Sequence, residues 1–150
     1  MEKKDLITFL DSIFSPIGFK RKGNNWVFNG DEINKIINLQ KSQHGNFFYI
    51  NYGYIINNLP LDGFVNHVDS RLSSQNKIEQ QRITELLDLE LAIIPSERFS
   101  ELEKFINEKI INEMTNTNEE SDILNVLKQK QFLYMIPPNV LKHFNLKIDA

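Results

Sequence analysis

Gln40, Lys41 and Ser42 stand at the end of one apolar-alternating segment, and Asn51 stands in the next, so a hairpin between them would bring amide, amine and hydroxyl groups within hydrogen-bonding reach. That set suits recognition of a polar ligand or partner. His67 and Arg71 form a second set: four residues apart on a strand they share a face, where imidazole and guanidinium can take an anion or a carboxylate. An ion pair of these two with Asp62, Asp69 or a helical glutamate is the plainer alternative. Neither set contains a nucleophile beside its base. His44, His67 and His143 lack the spacing of a helical metal site, and no glycine-rich phosphate loop occurs. No cofactor or metal is therefore expected.

Other groupings have bland readings. Lys20-Arg21-Lys22 is a short basic run, but strand geometry sends Arg21 to the face opposite its neighbours, so it is a weak basis for binding nucleic acid. Trp26, Phe28, Tyr49, Tyr52 and Tyr54 have the makings of a stacking platform, although aromatic residues in strands more often fill a core. Glu97, Glu101, Glu103 and Glu108 lie on the polar side of a helical segment, where charge serves solubility.

The elements that must position these residues follow from periodicity. Leu6, Phe9, Leu10, Ile13 and Ile17 recur at helical spacing, and Pro16 with Gly18 closes that helix. Strand-like runs follow at Phe19–Gly23, Trp26–Phe28, Ile33–Ser42 and Phe47–Ile56, joined by the short polar turns of an antiparallel meander. Phe64–Leu72 fits either a helix or a one-faced strand, and we read it as a final strand. Helices are expected over Ile78–Leu91 and Phe99–Met114, the second with Ser100 and Glu103 as a capping box. Asn118 or Ser121 would cap a further helix, and Pro137-Pro138 would open a short last one.

This order of elements predicts a single α+β domain over residues 1–150. It has an N-terminal helix, a meander of four to five strands, and a helical C-terminal half packed on one sheet face. The composition agrees: 150 residues, 41% hydrophobic and 25% charged, suit one soluble globular domain. Cysteine is absent, which fits a reducing compartment, and no export signal or membrane span is visible, so the expected location is the cytoplasm. The net charge of −3 divides unevenly: residues 1–60 carry 7 basic and 5 acidic groups, residues 61–150 carry 10 and 15.

Gly18-Phe19-Lys20-Arg21-Lys22-Gly23, Trp26, Asn38-Leu39-Gln40-Lys41-Ser42, Phe48-Tyr49-Ile50-Asn51-Tyr52-Gly53 and His67-Val68-Asp69-Ser70-Arg71-Leu72 resemble, in type, order and spacing, the bacterial family called domain of unknown function 4304. The match is good over the first half and weak beyond Leu72, where Ile78–Leu91 lacks the tryptophan-containing segment common in that family. Its small, cysteine-poor members are similar to accessory or toxin-immunity proteins more than to enzymes. The resemblance thus implies a non-catalytic cytoplasmic protein-binding domain, a toxin-immunity or accessory protein acting by steric blockade. The alternative is a small enzyme or ligand-binding domain with a polar site on the sheet face. Gln40, Lys41, Ser42, Asn51, His67 and Arg71 are the candidate contact residues in either case, and another protein is the expected partner.

Overall fold

The computed structural model describes residues 1–130 and 136–147. Helix α1 (Lys3–Phe14) buries Leu6, Leu10 and Phe14, one residue per turn along a single stripe. The Glu2 amide donates to the Asp5 carboxylate at 2.8 Å, which fixes its start. Its last residues tighten into a 3-10 turn, Ser15–Ile17, before Gly18 reverses the chain at φ 97°. That tightening breaks the helical phase, so Ile17, expected in the buried stripe, is 47% exposed.

The strands are β1 (Lys20–Lys22), β2 (Asn25–Asn29), β3 (Ile33–Lys41), β4 (Phe48–Ile56) and β5 (Val68–Arg71). They lie in the sheet in chain order, and each pair is antiparallel. The β3–β4 ladder is the longest, running from Ile33 opposite Ile56 to Lys41 opposite Phe48. Residues 64–67 of the expected final strand lie outside β5.

Side chains alternate between two unlike faces. Ile33, Ile37 and Leu39 of β3 and Phe48, Ile50, Tyr54 and Ile56 of β4 are buried in the core. The opposite face carries Asn34, Ile36, Asn38 and Gln40 of β3 with Tyr49, Asn51 and Ile55 of β4. The helices pack on the first face. Trp26 Nε1 donates to Asp11 of α1 at 3.0 Å, and the Tyr54 hydroxyl donates to Glu113 at 2.7 Å. Phe9 stacks on Phe99 with ring centres 4.5 Å apart.

The helical half departs from expectation at several boundaries. Helix α2 (Lys77–Leu86) starts at Asn76, whose side chain accepts from the Ile78 and Glu79 amides. Ile78 itself is 83% exposed. The helix stops at Leu86 because the chain then turns to the sheet: the Phe48 amide donates to the Leu87 carbonyl at 3.0 Å, and the Leu89 amide to the Asn46 carbonyl at 2.9 Å.

Helix α3 (Pro95–Ile106) begins four residues before Phe99, with Pro95 at its first position. Ser100 and Glu103 therefore lie inside it and form no cap. A single π-helical turn, Asn107–Ile111, leads into α4 (Asn112–Thr115). Helix α5 (Glu120–Lys128) is started by Glu119 and Asp122, not by Asn118 or Ser121; the Asp122 carboxylate accepts from the Asn118 and Glu119 amides at 2.9 and 3.0 Å. The last described element is α6 (Pro138–His143).

Candidate functional site

No described helix packs on the second sheet face. Val27, Ile36 and Ile55 on it are half-buried and lie outside the core cluster. The register places Asn25 opposite Asn38, Asn38 opposite Asn51, and Asn51 opposite Arg71, so one row of polar side chains crosses four strands.

That row is joined by hydrogen bonds. Asn38 Nδ2 donates to Asn25 Oδ1 at 2.8 Å, and Asn51 Nδ2 donates to Asn38 Oδ1 at 3.1 Å. Arg71 Nε donates to Asn51 Oδ1 at 3.0 Å. Gln40 Oε1 accepts from Asn51 Nδ2 at 2.9 Å and from Arg71 Nη2 at 3.1 Å. The Arg71 guanidinium also lies over the Tyr49 ring, 4.0 Å from its centre. Beside this row the face is apolar: Val27 pairs with Ile36, and Ile36 with Gly53. The arrangement is a small hydrophobic strip bordered by amides and a fixed cation, with no reactive group.

Of the six residues expected to form one patch, Gln40, Asn51 and Arg71 meet in this network. Lys41 has the opposite strand parity and is solvent-exposed at the end of β3. Ser42 is buried in the following turn, where its Oγ accepts from the His44 amide at 3.1 Å. His67 does not share a face with Arg71: β5 begins one residue later, and the ring folds beneath the 57–67 loop with no exposed surface. Its Nδ1 accepts from the Ile56 amide at 2.8 Å, which leaves Nε2 to donate to the Pro60 carbonyl at 2.9 Å. The imidazole is a staple for that loop, with both nitrogens in use.

Asn25, Asn38 and Tyr49 were not among the six candidate contact residues, although Tyr49 shares the parity of Asn51, Asn38 pairs with Asn51 and Asn25 with Asn38. The aromatic platform is absent: Trp26 and Tyr54 are core residues, Phe28 and Tyr52 pack against that core, and Tyr49 alone faces outward. The basic run divides as strand geometry requires, because Arg21 pairs with Trp26 while Lys20 and Lys22 share the outer parity. Among the described residues no group of histidine, aspartate or glutamate could hold a metal ion, and no helix is long and apolar enough to cross a membrane.

A concavity of about 720 Å³ runs along β5 and is lined by Tyr52, Asp69, Ser70, Arg71, Glu113 and Lys130 among others. Lys130 Nζ donates to Ser70 Oγ at 2.7 Å and to the Asp69 carbonyl at 2.9 Å, tying the chain just after α5 to the edge of the sheet. Burial holds the Lys130 amine below its usual range and pushes the Asp69 carboxyl up.

The model of the family described as domain of unknown function (DUF4304) matches residues 10–129, which include the whole sheet and helices α2 to α5. The chain belongs to the DUF4304 family. The match takes in the segment after Leu72, where the motif-level resemblance is weak, and it covers every member of the polar row. No curated protein and no solved structure matches the chain.

Proposed function

We propose that this DUF4304 protein is a non-catalytic, cytoplasmic binding protein that engages another protein through the uncovered sheet face, with toxin immunity by steric blockade as the specific form of that role. The observation carrying this reading is the composition of the face: Val27, Ile36 and Ile55 supply an apolar centre, and Asn25, Asn38, Asn51 and Gln40 supply a hydrogen-bonding border. An apolar centre with a polar rim is the usual anatomy of a protein interface. The sheet edges suit it less. Strand β1 has three residues, all charged, and β5 has four, so neither edge is a long template for strand addition.

The test is affinity capture from the native host with three baits: the native chain, Ile36→Glu at the centre of the face, and Glu103→Lys on the helical side. A specific protein recovered by the native chain and by Glu103→Lys, but lost with a folded Ile36→Glu, supports the reading. Recovery of no specific protein, or equal recovery by all three baits, overturns it. For the immunity role, co-expression must relieve the toxicity of the captured protein.

A further inference from the structure

Arg71 is oriented far more tightly than an arginine serving only solubility needs to be. Its Nε and Nη2 are held by Asn51 and Gln40, its flat face rests on Tyr49, and all three partners are neutral. Amides and an aromatic ring direct a guanidinium without neutralising it. Among the described residues no carboxylate lies within ion-pair distance of Arg71, and Nη1 makes no hydrogen bond. Two parallel N–H groups of a fixed fork match a carboxylate.

The same row continues at its other end. Lys22 pairs with Asn25, so the row crosses all five strands, with amides on the middle three and a cation at each end, roughly 19 Å at the usual strand spacing. Lys20 adds a third cation in the neighbouring row. The acidic side chain with this parity is Asp69, which sits beside Asn66 at 3.3 Å. The face is therefore cationic on a chain whose net charge is −3.

We infer that the partner of this face is an acidic protein surface, with one carboxylate paired to the Arg71 fork and further acidic groups extending toward Lys22. This rests on the docking role proposed above and specifies its chemistry. The fixed fork supplies position, and the two lysines supply steering that weakens with salt.

The probe is a hexaglutamate peptide with blocked ends, titrated while the Arg71 Nε–H and the side-chain amides of Asn51 and Gln40 are followed by NMR. Hexaglutamine and single-stranded oligothymidylate serve as comparison ligands. The expected result is a salt-sensitive shift at those three side chains with hexaglutamate in the native chain, and an affinity, followed in the variants at the Asn51 and Gln40 amides, that falls roughly tenfold in Arg71→Gln and is only partly restored in Arg71→Lys, since a lysine cannot pair through two parallel bonds. No shift at Arg71 with millimolar peptide overturns the inference. So does an equal response to hexaglutamine, tighter binding of the oligonucleotide, or indifference to Arg71→Gln. If capture of a host protein is lost with Ile36→Glu yet complete with Arg71→Gln, the docking role stands and this assignment of its chemistry fails.

Discussion

Tyr49 and Arg71 are diagonal neighbours across the β4–β5 ladder, and the guanidinium carbon lies 4.0 Å from the ring centre. The direct partner of Arg71 is Asn51, two residues along from Tyr49. Stack and hydrogen bond thus come from successive outward positions of one strand. Tyr49→Leu should free the guanidinium while costing about 0.5–1 kcal/mol of stability. Urea denaturation measures the second effect, and faster exchange of the Arg71 Nε proton reports the first. Unchanged exchange would mean that the amides alone fix the side chain.

Asn51→Ala removes the amide that links Asn38, Gln40 and Arg71. Each lost bond is worth about 1 kcal/mol net, but the freed groups are half-exposed and regain water. A total of about 1–2 kcal/mol is expected in urea, with the sheet intact by circular dichroism. Global unfolding would show that the row is needed for folding.

Arg98 is 1% exposed, and its guanidinium donates to the carbonyls of Leu86, the last residue of α2, and of Asp88 and Leu91 in the segment joining α2 to α3. Arg98→Met fills much of the volume and leaves three carbonyls without that donor, so a loss of about 3 kcal/mol or more is expected. Thermal unfolding measures it. A variant as stable as the native chain would mean that the carbonyls find other donors.

Burial pushes the Tyr52 phenol up to about 12 and the Tyr54 phenol above the normal phenol range, the Glu113 carboxylate adding to both. A raised phenol binds its proton more tightly in the folded state. Its contribution is thus fully present below pH 10 and is lost as pH rises toward 12. Phenolate absorbance should show these two residues ionising later than a free tyrosine, and Tyr52→Phe should remove the step near 12. Ionisation of both at the ordinary tyrosine position would contradict the burial. Lys35 and Lys130, held low by burial, drift the opposite way, so the absorbance is the cleaner measure.

Gly53 lies where β5 and the Asn66 side chain come closest to β4; a Cβ there would collide with the Val68 carbonyl oxygen and approach Asn66 Nδ2 to 2.8 Å. Gly53→Ala should push β5 away and release Arg71 from Asn51, costing roughly 1–3 kcal/mol as an overpacking change. Hydrogen exchange of the Leu72 amide, bonded to the Ile50 carbonyl at 2.8 Å, is the local readout. Native-like protection there would rule out displacement of the strand.

The meander was legible because it depends on alternation within a strand, whereas Phe47–Ile56 is largely apolar or aromatic on both sides and left open which face is uncovered. Asn51 sits between Ile50 and Tyr52, and Gln40 follows Leu39, so their shared parity can be counted along the chain. The fate of His67 was not legible, since its burial depends on a loop that folds back so that Pro60 reaches the ring. Ser42 misled for a similar reason: a hydroxyl just past a strand end bonds to the turn as readily as to a ligand. The start of α3 shows a conflict between local signals. Ser100 and Glu103 have the spacing of a capping box, but Pro95 already has the dihedrals of a first helical turn and begins the helix a turn earlier. Arg98, a buried cation among carbonyls, had no signature because its partners are backbone atoms.

The π-helical turn at Asn107–Ile111 sets a reading frame for everything after it. Such a turn holds one residue more than an α-helical turn, and each residue added to or removed from a helix rotates the remainder by about 100°. Glu113 meets the Tyr54 hydroxyl and the Met114 carbonyl meets Lys35 only in the present phase. Loss of a single codon within this turn would leave a regular helix and turn both groups away from the sheet. Within this stretch of the protein, insertions and deletions should therefore be far less tolerated than substitutions.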